Sequence, residues 1–415
     1  MAIPFCLKHI YNYGVIKRLL STRYFSSFRS FSSFSPVTRA LLILFLAATL
    51  TSILDYNGHS LKSDDVKYMS LVRGLASGKT VGHSLAMKKA FAENYPCGFP
   101  IALMSLYPAL RSNFSWYNSV TMLARIGLVI AFFWWLGAFM GPWPALLFSF
   151  ALSLNPVVRL WSMYVYTDIP FTFLLVAIFA IHTRMPRYKF LVPLLLVILV
   201  SIRTAGIAIW GGYALVYLYK KEYRPLIIMS IGLALYLILN LILFGMISGI
   251  SMYLKVSVAQ YPSTEATLIG RIFHNFRSTF GTLLPSSLFF SAYGRIPPSI
   301  IKFLLLIPLS LLACAAFMWL TRQTPAIGVS LVLYTCLIFF MQPIDLVRRL
   351  ILPLIPALYI SLVILWKDKR RKILVTGIIA LIVADSLIAL PAYSRMFSSE
   401  PWPEITNRKK LDMKH

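Results

Sequence analysis

Acidic residues are scarce in this sequence: 13 Asp and Glu stand against 40 Lys and Arg in 415 residues, a formal net charge of +27. Hydrophobic residues make up 59 % and the mean hydropathy is +0.75, which excludes an ordinary soluble domain and points to apolar runs that meet lipid. There are four cysteines. Cys6 lies in the N-terminal tail, Cys314 and Cys336 lie in apolar runs, and Cys97 alone lies near an external loop, so no disulfide framework and no CxxC metal site can be drawn. Strand-type alternation is missing, which argues against a transmembrane barrel. No phosphate-cradling Gly-rich loop, HExxH or GxSxG occurs, which argues against an ATP-driven pump and the common hydrolases. The basic excess falls in short clusters between apolar runs rather than on one soluble face. Membrane topology and anionic lipid account for it, and a nucleic-acid partner is not expected.

What the chain does have is eleven apolar runs, at 40–54, 118–139, 142–157, 169–182, 190–202, 204–219, 225–245, 299–319, 325–341, 347–366 and 372–392. They predict an all-α polytopic membrane protein with about eleven transmembrane helices. Residues 1–39 read as a basic cytosolic tail, 40–392 as a single transmembrane domain and 393–415 as a short tail. With the N-terminus inside, the clusters His182–Lys189, Lys220–Arg224 and Lys367–Lys372 all fall on the inner side, as the positive-inside rule asks. The same parity places Asp55, Asp64, Asp65, Glu93, Asp168, Glu265 and Asp345 outside, so the acids gather at one face.

Two outer intervals carry most of the polar residues: 55–117, read as the catalytic loop, and 246–298, the second outer loop. Residues 64–77 predict a short amphipathic surface helix with Leu71, Val72 and Leu75 on the membrane and Asp64, Lys67 and Lys79 toward water. A carboxylate at that start also caps free backbone N–H groups, which is the plain structural role for Asp64. The run Pro100–Leu110, bounded by prolines, is too short to cross and reads as a re-entrant or interfacial segment. His59 and His83 read as solvated loop residues, and Asp385 as either an interhelical contact or a functional group.

Five stretches in order carry a resemblance: DDVKYMSLVRGLASGKTV, ENYPCGFPIALMSLYPAL, TDIPFTFLLVAIFAI, SIRTAGIAI and DLVRRLILPLIPALYI. Over roughly residues 40–365 the chain resembles the GT-C glycosyltransferases of family 39, which use polyprenyl-phosphate-linked sugars and include the protein O-mannosyltransferases and the lipid A aminoarabinose transferase. The resemblance implies a GT-C-like fold and an active site on the outer face. Residue by residue, Asp64 matches the family's general base and Asp65 its acidic neighbour. Tyr68 matches the Tyr four positions after the first acid, and Tyr95 belongs to the Tyr-Pro segment. Glu93 matches the metal-associated acid and His274 a metal-ligating histidine, so a divalent cation is the one cofactor implied. Asp168 matches the acid facing a headgroup, while Arg203 and Arg348 or Arg349 match positions that bind donor phosphate. The reverse reading of these arginines is snorkelling at helix ends.

The expected activity is transfer of a sugar from a polyprenyl-phosphate-linked donor to a lipid, glycan or protein acceptor. The compact form, with no soluble domain after the spans, places it in a bacterial inner membrane. The competing class is a transporter or flippase of a polyprenyl-linked or anionic substrate, which calls for broken helices and ionisable groups near the bilayer midplane.

Overall fold

The computed structural model describes residues 34–55, 68–69, 72, 76, 96, 98–110, 117–244, 268–280, 284–288, 298–340, 350–366, 368 and 371–398. Among them there is no strand. The α-helices in chain order are α1 (Pro36–Asp55), α2 (Gly98–Ser105), α3 (Tyr107–Leu110), α4 (Asn118–Leu136), α5 (Pro142–Leu154), α6 (Pro156–Ser162), α7 (Asp168–Arg184), α8 (Leu191–Ile202), α9 (Gly206–Tyr219), α10 (Tyr223–Phe244), α11 (Leu268–Ser278), α12 (Leu284–Leu288), α13 (Pro298–Gln323), α14 (Pro325–Phe340), α15 (Leu354–Trp366) and α16 (Lys372–Ser398).

Local chemistry sets the boundaries. Ser35 Oγ accepts from Thr38 N at 3.2 Å ahead of α1, with Pro36 opening the helix where its missing N–H costs nothing. Asn155 separates α5 from α6: its Oδ1 accepts from Val157 N at 3.1 Å and Val158 N at 3.2 Å, and Pro156 follows. The chain bends there by 56°. Helix α9 ends with Glu222 N donating to Tyr217 O at 2.8 Å and Lys221 N to Leu218 O at 3.0 Å. This pattern puts Lys221 in the left-handed region at φ 58°, a place usually given to glycine.

Each of the eleven apolar runs coincides over most of its length with helix. By length and composition three can cross a membrane, α1, α4 and Tyr223–Ile242 of α10, and the bent pair α5–α6 is a fourth if it counts as one span. Helix α8 has 12 residues, about 18 Å at 1.5 Å per residue, short of the ~30 Å hydrocarbon layer. Helices α1 and α10 present large apolar side chains outward, among them Leu46, Leu50 and Leu54 of α1 and Ile231, Leu235 and Ile242 of α10. Water disfavours faces of that extent, and lipid suits them.

The core lies around α15, in which every residue from Leu354 to Val363 is buried, so this helix is enclosed by protein on all sides. Tyr359 meets the rings of Phe132 at 6.0 Å and Phe148 at 6.5 Å, and Trp135 packs on Phe179 at 5.1 Å to join α4 to α7. Helices α9 and α14 touch through small residues, where Ser330 Oγ donates to Ile209 O at 3.0 Å beside Gly212.

One expectation is corrected. Val72 is not laid on a membrane: with Tyr68 and Met69 it is buried in a second apolar cluster with Phe99, Leu103, Tyr117, Val165 and Tyr166. The reason is that α2 covers this segment, so its apolar side chains meet protein. Leu71 and Leu75 lie outside the described residues. The Pro100–Leu110 run forms the two short helices α2 and α3, which meet at Leu106, and neither is long enough to cross.

Adjacent glycines test the α9–α14 contact. A Cβ on Gly212 would lie 2.6 Å from Ser330 N, whereas one on Gly211 finds nothing nearer than Leu333 Cδ1 at 3.9 Å. Gly212→Ala is expected to destabilise by about 1–3 kcal/mol and Gly211→Ala to be neutral or stabilising by up to about 1 kcal/mol, read as thermal unfolding in detergent.

Candidate functional site

Several helix ends meet at one place, and the charged residues there are held in two buried clusters. Asp55, the last residue of α1, accepts from Arg125 Nη1 through Oδ2 at 2.6 Å and from Arg159 Nε through Oδ2 at 2.8 Å, and Arg159 Nη2 also reaches Oδ1. Arg125, two turns into α4, is fully buried and donates further through Nη2 to Ser153 O at 2.9 Å and Thr51 Oγ1 at 3.1 Å. Arg159 lies on α6, beyond the bend, so the Asn155–Pro156 break is what turns its guanidinium toward Asp55. Thr121 Oγ1 donates to Ser162 O at 2.9 Å and ties α4 to the same short helix.

The second cluster begins six residues after Ser162. Asp168 opens α7 and pairs through Oδ1 with Arg203 Nη1, with Asp168 1 % and Arg203 7 % exposed. Arg203 follows α8 in extended backbone (φ −151°, ψ 127°), a break in the helix that lets its side chain turn toward the start of α7. Between the clusters lie three rings: Tyr164 stacks on Tyr166 at 5.2 Å and Trp161 lies 5.7 Å from Tyr166.

Four of the five ordered stretches touch here, and the fifth joins them by way of Tyr334. Tyr68 sets its ring edge-on to Phe99 at 5.4 Å and its hydroxyl donates to Thr167 Oγ1, the neighbour of Asp168, over a long 3.4 Å. Gly98 lies so close to α8 that a Cβ there would come 2.6 Å from Ser201 O, two residues before Arg203. One turn past Asp168, Phe171 stacks on Tyr334 at 6.1 Å, and the Tyr334 hydroxyl donates to Leu350 O at 2.9 Å.

Of the expected site residues, Tyr68, Asp168 and Arg203 are brought together. Arg203 pairs through Nη1 with Asp168 Oδ1. Asp64, Asp65, Glu93, Tyr95, Arg348 and Arg349 lie outside the described residues. His274 sits on α11, which is anchored to the end of α14 by Asn275 Nδ2 donating to Phe339 O at 3.0 Å. Among the described residues no three His, Cys, Asp or Glu side chains form a group that could hold a metal. Sequence reasoning missed Arg125 and Arg159. A lone arginine inside the 118–139 apolar run was the available signal, because a charge at that depth requires a partner.

No family model matches this chain, and no curated protein matches it.

Removing one partner of the second cluster tests its worth. Asp168→Asn is expected to lower stability by about 3–5 kcal/mol by leaving Arg203 buried without its carboxylate, and Asp168→Asn with Arg203→Met to recover most of the loss. Thermal melts of the two singles and the double form the cycle.

Proposed function

We propose that the protein is an integral-membrane, inverting glycosyltransferase that takes a sugar from a polyprenyl-phosphate-linked donor and passes it to a lipid, glycan or protein acceptor on the outer face. In this reading the bundle is multi-pass and GT-C-like, in a bacterial inner membrane. What supports it above all is spatial: four of the stretches that carry the resemblance, distant in sequence, touch at one end of the bundle through Tyr68–Phe99, Tyr68–Thr167 and Gly98–Ser201, and the fifth joins them by way of Tyr334, which lies outside the stretches and bridges Phe171 and Leu350.

The chemistry asked of the chain is one displacement. The acceptor oxygen bonds to the anomeric carbon while the bond from that carbon to the phosphate oxygen breaks. The electron pair leaves with the phosphate, and the acceptor proton passes to the Asp64 carboxylate. Phosphate is a good leaving group, so no paired acid is needed. Arg348 or Arg349 supplies forked donors to its oxygens. The lipid tail of the donor lies against apolar helix faces.

A transporter of a polyprenyl-linked anion is the second reading, favoured by the broken helix at Asn155–Pro156. Transfer from a labelled lipid-linked sugar in membranes separates the two. Asp64→Asn is expected to lower the transfer rate about 10²–10⁴-fold while leaving lipid binding in place. Undiminished transfer by this variant would overturn the assignment of the base. Donor binding with no sugar released by the wild type would favour carriage.

A further inference from the structure

We propose that the corner formed by the α7–α8 and α9–α10 turns is a docking surface for acidic phospholipid, with headgroups at Arg187, Lys189, Lys220, Lys221 and Arg224 and acyl chains along the helix faces beside them. All five cations are exposed, and among the described residues none of them is in an ion pair. Glu222 is the single acid of the two turns, so five positive charges stand against one negative. The two turns are held together by the helices beneath them. His182 of α7 sets its ring edge-on to Tyr213 of α9 at 5.4 Å, and Lys189 and Lys220 each lie close enough to His182 for their charges to act on it. Helices α8 and α10 leave this corner side by side, so near that a Cβ on Gly232 would come 2.8 Å from Val197 Cγ2. Like charges gathered in this way repel one another, and a layer of anionic headgroups relieves the repulsion.

The apolar surroundings decide which anion fits. Helix α10 is long and apolar enough to cross a membrane and begins at Tyr223, so Lys220, Lys221 and Arg224 stand where its hydrocarbon-facing surface ends. Leu194 of α8, Leu218 of α9 and Ile227 of α10 are exposed, each within five residues of one of these cations. Ile198, Leu215 and Ile231 carry the same outward faces about one turn further along. Tyr188 is 52 % and Tyr219 86 % exposed at the rim, and such rings favour the boundary between hydrocarbon and water. A free anion would meet the cations and leave the apolar faces uncovered, whereas a phospholipid covers both. The head has to be acidic, because a choline head brings its own positive charge. This corner lies at the far end of α7 from Asp168, and the surface stands whether or not sugar is transferred.

Thermal unfolding of the full-length protein in a non-ionic detergent tests this, with phosphatidylglycerol as the probe and, for comparison, phosphatidylcholine of the same chains and inorganic phosphate at equal ionic strength. Wild type is expected to gain about 2–5 °C with phosphatidylglycerol and less than about 1 °C with either of the others. Lys189→Gln with Lys220→Gln removes two exposed charges, so this variant is expected to melt within about 1 °C of wild type without lipid and to lose at least about half of the gain with it. Arg322→Gln with Lys372→Gln takes the same charge from exposed positions on α13 and α16 and is expected to keep the gain. Four outcomes would overturn the surface: no gain with phosphatidylglycerol, an equal gain with phosphatidylcholine or inorganic phosphate, an undiminished gain in the Lys189 and Lys220 variant, or an equal loss of it in the Arg322 and Lys372 variant.

Discussion

Neutralising charge where water is scarce is the constraint on which this bundle depends. Apolar helices surrounded by lipid have little reason to prefer one vertical register over another, because a leucine moved by one turn still meets hydrocarbon. An ion pair does have a reason. Asp55 fixes the end of α1 at the height of Arg125 on α4 and of Arg159 on α6, and Asp168 fixes the start of α7 to the residue that follows α8. Five elements thereby share one level, and a slip of any of them by a turn would leave a guanidinium or carboxylate buried alone. Small-residue contacts do the corresponding work elsewhere, with Gly212 on Ser330 and Gly328 on the Thr321 backbone letting helices approach closely enough to interlock.

The same end of the molecule is where helices are short and broken, and the two facts are related. Pro156 after Asn155 and extended Arg203 between α8 and α9 interrupt helices that would otherwise carry their side chains past one another. The freed backbone finds local partners: Asn155 caps α6 with its Oδ1 and sends Nδ2 to Ser287 O at 2.7 Å. Rings then fill the space between the interruptions, so the smaller apolar cluster is rich in tyrosine whereas the enclosed helix α15 is packed mainly with Leu, Ile and Val. Tyrosine suits a place that is apolar on one side and hydrogen-bonding on the other.

Much of the helical plan was legible because composition alone decides it. Each apolar run coincides over most of its length with helix, and proline and glycine mark several of the breaks. What was not legible is which side chains meet across helices. Arg125 and Arg159 are 34 residues apart and Asp55 is 70 from the nearer of them, and no periodicity reports a contact at that separation. Val72 was misread for a related reason: amphipathic spacing shows that a face is apolar, and it does not say whether lipid or the α2 segment covers it. The expected crossing number meets a physical limit in α8, α9, α14 and α15, which run from 12 to 16 residues.

The scarcity of carboxylates bears directly on where chemistry can be done. An aspartate can act as a base only if an oxygen lone pair is open toward the hydroxyl it must deprotonate. Both oxygens of Asp55 accept from arginine, and Oδ1 of Asp168 does so as well, which gives these two acids positioning work at helix ends. Asp368 pairs with Arg371 three residues on, at 3.3 Å, in the short turn before α16. Under the proposed function, base catalysis therefore falls to another acid of the outer intervals, and Asp64 is the one assigned to it. Tyr68, four residues after Asp64, is already anchored beside Thr167 and Asp168, and it ties the first outer interval to this end of the bundle.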